Sequence, residues 1–182
     1  FIAGGIESMT RVPQGGFNHS PNPRFKGKAE KNPDVMLEAY ISMGETAENV
    51  ARQFNIARAD QEKLAWASQM KAAEAQREGR LKDEIVPVKT VDGWVDADGT
   101  LRPNTTLEGL AALKPAFRPD GVVTAGTSSP LTDGAAMTLV TSEAYAKANG
   151  LDVLGRIRSV AIGGVPPEIM GMGPVPATRK AL

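Results

Sequence analysis

A break in the pattern of this chain constrains its fold more than any other feature. After residue 120, short apolar runs at 122–125, 134–140 and 156–162 alternate with a helical stretch capped by Thr141 or Ser142 and closed by Gly150. Alternation of this kind favours an α/β class. At the front, residues 1–3 read as the end of a buried strand entering a Gly4–Gly5 turn. Between the two, residues 11–119 lose the alternation and read as an insertion.

The insertion has its own punctuation. Residues 11–34 are rich in Pro, Gly, Asn and basic side chains, which predicts a long loop. The cluster Arg24, Lys26, Lys28 and Lys31 reads as a solvated face of that loop. Val35, Met36, Leu37 and Tyr40, then Ala47, Val50, Ala51 and Phe54, have helical spacing, with Gly44 separating two short helices. The clearest helix covers 58–78. Asp60 and Glu62 suit its N-terminal dipole, Leu64, Ala65, Ser68, Ala72 and Ala75 form a face of mainly small residues for packing, and Gly79 closes it. A short strand follows at 84–88, and a hairpin-like turn at 91–99. Thr105 and Glu108 have capping-box spacing ahead of a helix at 107–113.

The side-chain inventory narrows the chemistry. There is no cysteine, so these residues hold no disulfide, no Cys-ligated zinc and no thiolate nucleophile. The single histidine, His19, sits in a loop with no second ligand nearby and is assigned no role. Lys and Arg total 21, as do Asp and Glu. That balance argues against a nucleic-acid partner, which calls for a basic stripe. No run approaches the roughly 18 apolar residues of a membrane span. The Gly-rich turns lack both GxGxxG and GK[ST], so a phosphate-cradling nucleotide site is not expected.

Five strings carry a resemblance to a known family: AGGIESMTR (3–11), MGETAENVA (43–51), TTLEGLAALKPAF (105–117), VTAGTSSPLTDGAA (123–136) and PEIMGMGPVPATRKAL (167–182). In order and spacing they resemble the thiolases, the acetyl-CoA acyltransferases. The resemblance implies a layered αβαβα core fragment with an inserted, largely helical loop domain. It divides the chain into the end of an N-terminal core half (1–10), a coenzyme-binding loop domain (11–131), a return to that half (132–153) and the start of a C-terminal half (154–182).

The activity implied is transfer of an acyl group between an enzyme cysteine and coenzyme A. Thiolytic cleavage or Claisen condensation of 3-ketoacyl-CoA would follow from it, within fatty-acid metabolism. The family's nucleophilic cysteine precedes the AGG-ESM strand, and its Asn-Glu-Ala-Phe, Gly-His-Pro and second-cysteine segments come later. None of these lies in the 182 residues. The chain by itself is therefore expected to be inactive, and both of its ends read as interrupted. What it would supply is a binding wall for coenzyme A or acyl-CoA, a substrate rather than a covalently bound cofactor. The expected setting is a cytoplasmic homodimer or homotetramer.

The resemblance also implies site residues. Ser129 matches a serine that bonds the pantetheine arm, and Ala125 a residue whose backbone does similar work. Here the loop reads Thr-Ser-Ser-Pro-Leu-Thr where many relatives have Asn-Ala-Ser-Gly-Leu-Asn, and Pro130 stiffens it. Met43 lies in the Met-Gly pair that lines the reacting thioester. Ser42 stands before it, where many relatives carry histidine. Met170 matches a methionine at the floor of the site. Arg102 and Phe117 match residues toward the nucleotide end of the coenzyme, and Phe117 would also pack with Ala125 on the pantetheine arm. Read without the resemblance, the methionines are ordinary filling, Arg102 is a solvated cation, Phe117 packs its helix, and 127–130 is turn chemistry. The competing function is a non-catalytic protein-interaction module that uses the Ala-rich helix and the basic loop.

Overall fold

A computed structural model describes residues 1–13, 15–25 and 39–182. Most of the basic cluster (Lys26, Lys28, Lys31) and the helical spacing at Val35, Met36 and Leu37 lie outside the described residues. The chain forms two compact units, Met43–Pro130 and Phe1–Ser42 with Leu131–Leu182.

The Met43–Pro130 unit begins with α1 (Met43–Gln53) and α2 (Arg58–Arg77). Gly44 is the second residue of α1 rather than a separator of two helices. α2 keeps its expected span, but its packing face is rotated. Leu64 is exposed, as are Ser68 and Ala72, while Glu62 is buried and Ala65, Gln69 and Ala73 are partly covered. The reason lies in the first turn. Arg58 pairs with Glu62 at 2.5 Å and also reaches carbonyls near residue 110, so that edge faces inward. A hairpin follows: β2 (Val88–Thr90) and β3 (Gly93–Val95) pair antiparallel, with Val88 opposite Val95. Its turn is at Val91 and Asp92, and Gly93 (φ 126°) takes a conformation that side chains disfavour. The strand expected at 84–88 is instead a 3-10 turn, Lys82–Glu84, leading into β2.

α3 (Leu107–Ala111) is capped by Thr106, whose hydroxyl accepts from the Gly109 N–H at 3.0 Å. Thr105, the expected cap, donates its hydroxyl to the Arg102 carbonyl instead. The apolar run expected as a strand at 122–125 forms none. A ladder needs amides facing a neighbouring strand. Here the Val122 and Val123 amides go to Glu48, and the Thr124 amide to the Thr127 hydroxyl. A 3-10 turn, Ala125–Thr127, follows at once.

In the other unit, β1 (Ile2–Glu7) pairs antiparallel with β4 (Gly134–Leu139), Ile2 opposite Leu139 and Glu7 opposite Gly134. Both strands are exposed along their whole length, so β1 is not the buried strand that its composition suggests. α4 (Glu143–Ala148) starts as expected at Ser142, which accepts from Tyr145, and ends at Gly150 with φ 61°. Residues 156–162 form no strand, and Ile157, Val160 and Ile162 are exposed. No neighbouring strand among the described residues offers them a ladder. The end of this segment is held instead by α5 (Pro174–Ala181), from which Lys180 donates to the Ile162 carbonyl at 3.1 Å. Among the described residues the buried apolar side chains are few: Ala51, Leu110 and Val123 in the Met43–Pro130 unit, and Ala146 in the other.

The two β1–β4 approaches are tied by polar bonds. Asp133 accepts from the Thr10 hydroxyl at 2.6 Å and from the Thr10 amide at 3.0 Å, and these bonds, the hydroxyl first, lower its pKa from 3.8. A depressed carboxyl stabilises the fold fully above the unfolded value. That contribution fades as pH falls from there through the folded value. In an NMR titration, the Asp133 carboxyl should titrate below 3.8, and Thr10→Val should move it back up. An unchanged titration in Thr10→Val would remove the Thr10 hydroxyl as the cause.

Candidate functional site

Helix α1 buries Thr46, whose hydroxyl donates to the Met43 carbonyl at 2.7 Å, and on another face carries a stripe of Gly44, Glu48 and Ala51 at i, i+4 and i+7 spacing. Each residue of the stripe does something different. Ala51 is buried and lets the helix pack closely. Glu48 is buried as well. Both its carboxylate oxygens accept from the Val122 N–H at 3.0 Å, and Oε1 also accepts from the Val123 N–H at 2.9 Å. Gly121 gives the carboxylate room, since a methyl at that position would overlap Glu48 Oε1. Gly44 lies against the ring of Phe117.

Further clamps hold the segment that follows α3. Arg118 pairs with Glu45 and donates to Asn49 at 3.0 Å, both on α1. Arg58 Nη2 donates to the carbonyls of Leu110, Ala111 and Leu113, the last at 2.6 Å. Leu110 and Ala111 end α3, the Leu110 carbonyl also accepting from the Leu113 N–H, and a cation suits that end of a helix. The Ala116 amide donates to the Val123 carbonyl at 2.9 Å, linking the Phe117 stretch to the stretch that enters the 125–129 turn. That turn packs closely on α3, because a methyl on Gly126 would strike Leu110 and Leu113. Thr124, fully buried, and Thr127 close it with a reciprocal capping box, and Ser128 donates to the Thr124 carbonyl at 2.9 Å.

The site residues named from the sequence distribute as follows. Met43, Arg102, Phe117, Ala125 and Ser129 belong to the Met43–Pro130 unit, and Met170 to the other. Met43 is exposed at the start of α1, and Phe117 is 45% exposed with its ring on the next residue, Gly44. Ala125 and Ser129 are exposed on the turn. Arg102 has an exposed side chain, while its amide donates to Gln69 of α2 at 2.8 Å. Within the Met43–Pro130 unit, Met43, Arg102, Phe117, Ala125 and Ser129 are each exposed rather than enclosed in a cavity. The cleft of about 440 Å³ in this unit is lined by other residues, among them Glu48, Arg52, Ile56 and Asp120.

Residues 1–144 match the family described as Thiolase, N-terminal domain. The chain belongs to the thiolase family. It is 46% identical to an acetyl-CoA acetyltransferase of Shinella zoogloeoides, over all of this chain and 48% of that protein. It is 45% identical to a 3-ketoacyl-CoA thiolase of Bacillus subtilis, with the same coverage. The crystal structure of the dimeric peroxisomal thiolase of Saccharomyces cerevisiae superposes with a TM-score of 0.83 at 41% identity, covering 98% of this chain and 45% of that one. The chain thus spans about half the length of the thiolases it matches. Its fold is a thiolase-like piece of mixed helices and strands.

Sequence reasoning missed Glu48 and Arg58, and it named Gly44 only as a helix separator and part of the Met-Gly pair, without its contact with Phe117. A carboxylate inside a helix normally reads as solvated. The available signal was the Gly44–Glu48–Ala51 stripe, a charge set between two small residues on one helical face. Removing Glu48 would strand two part-buried or buried N–H donors, each costing about 1–3 kcal/mol. Glu48→Ala should therefore lower stability by about 2–6 kcal/mol in urea unfolding, and Glu48→Gln, which keeps an acceptor oxygen, by less. Equal losses in the two variants would show that volume rather than hydrogen bonding matters there.

Proposed function

We propose that this chain is part of a thiolase-type acyltransferase and supplies its coenzyme A binding wall. The acyl group would move between coenzyme A and a cysteine outside these 182 residues, in thiolytic cleavage or Claisen condensation of a 3-ketoacyl-CoA. The reading rests on family membership together with one observation: Met43, Arg102, Phe117, Ala125 and Ser129 all fall in a single compact unit. The names of the relatives, acetyl-CoA acetyltransferase and 3-ketoacyl-CoA thiolase, support acyl transfer over a protein-interaction module. A homodimer or homotetramer is the assembly we propose, in keeping with the dimeric yeast thiolase.

The chemistry of the surface suits the ligand. Pantetheine is a long, thin arm with two amides and apolar links between them. An open wall with apolar side chains (Met43, Phe117), a small residue (Ala125) and one hydroxyl (Ser129) can hold such an arm along its length. Arg102 carries the charge appropriate to the phosphates. Being exposed, it would contribute only about 0–1 kcal/mol.

Kinetics of the protein expressed from its natural reading frame test the reading. One neutral hydrogen bond is worth about 0.5–1.5 kcal/mol, so Ser129→Ala should raise KM for coenzyme A by roughly 2–12-fold. Turnover should change little, because the contact is alike in ground and transition states. Arg102→Ala should have a smaller effect that fades with added salt. The assignment fails if Ser129→Ala leaves KM unchanged while Arg102→Ala abolishes binding at every salt concentration. The 182 residues expressed alone should show no cleavage of acetoacetyl-CoA, and turnover by them would contradict the placement of the nucleophile elsewhere.

A further inference from the structure

Glycine at position 44 is not required by the backbone. Gly44 lies in the first turn of α1 and is not among the glycines with positive φ. Inside a helix, glycine is a poor choice beside alanine. What excludes a side chain here is space. A methyl on Gly44 would overlap Cζ, Cε1 and Cε2 of Phe117, the whole outer end of the ring. The ring therefore lies directly on the α1 backbone, and it is still 45% exposed. Met43, the residue before Gly44, is 70% exposed as well.

We propose that Gly44 is a positioning residue. Its bare Cα seats the Phe117 ring and so sets where that ring meets the pantetheine arm of coenzyme A. The inference rests on the coenzyme-binding reading above. The overlapped atoms are the far end of a side chain with two rotatable bonds. A methyl at 44 would thus swing the ring aside rather than block folding. The backbone around Phe117 stays in place through Arg118–Glu45, Glu48 and the Ala116–Val123 bond. Gly44→Ala should then mimic loss of the Phe117 ring while leaving the fold intact.

The test is calorimetric titration of coenzyme A into the protein expressed from its natural reading frame. Losing about half a ring of apolar contact corresponds to a roughly fivefold weaker affinity. Gly44→Ala and Phe117→Ala should each weaken binding by about that factor, and the double variant by no more than either alone. In a Phe117→Leu background, where the outer ring atoms are gone, Gly44→Ala should cost no further affinity. The thermal midpoint of Gly44→Ala should stay within a few degrees of the parent. The inference is overturned if Gly44→Ala leaves affinity unchanged while Phe117→Ala weakens it. Fully additive losses, or an undiminished loss in the Leu background, would overturn it too. If neither Phe117→Ala nor Ser129→Ala alters affinity, the coenzyme-binding reading falls, and this inference with it.

Discussion

Of the two buried carboxylates in the Met43–Pro130 unit, Glu48 ties together the parts furthest apart in sequence. Glu48 is joined to the Val122 and Val123 amides, 74 and 75 residues further along the chain. A buried carboxylate is costly unless its lone pairs are filled, and here the backbone fills them. The arrangement fixes more than a distance. It turns the amides of 122 and 123 toward α1, demands glycine at 121, and sends the chain directly into the 125–127 turn. Arg118 with Glu45, and Arg58 with the α3 carbonyls, extend the same principle to either side. Polar clamps carry this load because the apolar core of the unit is small: Ala51, Leu110 and Val123.

From that constraint the exposed surface follows. α1 is held against the 116–123 segment, so the start of α1 and Phe117 meet at Gly44. α3 is held by Arg58, so the 125–129 turn has a floor in Leu110 and Leu113, against which Gly126 must be bare. Met43, Phe117, Ala125 and Ser129 thus lie along the same stretches of chain as these clamps, with their side chains exposed. If they form the proposed wall, a backbone already tied in this way lowers the ordering cost of binding a long flexible ligand.

Much of the scaffold could be read from local signals, and the exceptions share a cause. α2 and α4 followed from capping, periodicity and terminal glycines. The runs at 122–125 and 156–162 have strand composition but no ladder, because composition reports an extended apolar segment and says nothing of what its amides meet. In one case they meet Glu48. In the other, no neighbouring strand stands among the described residues. The phase of α2 went wrong at Leu64 because the Arg58–Glu62 pair, a tertiary choice, set the inward face. The candidate site shows the same division. Motif resemblance named Ser129 and Phe117 as ligand contacts, and the proposed function takes them up from there. The bonds of Glu48 and Arg58, and the seat of the Phe117 ring on Gly44, became visible only in three dimensions.

The central claim is that coenzyme A lies along the wall built on α1, α3 and the 125–129 turn. Amide hydrogen exchange with and without coenzyme A tests it most directly. Protection should rise at residues 102–117 and 125–129. The Val122 and Val123 amides, already bonded to Glu48, should be slow to exchange in both states. Protection confined to the β1–β4 unit, or rapid exchange of the Val122 and Val123 amides without ligand, would contradict the account.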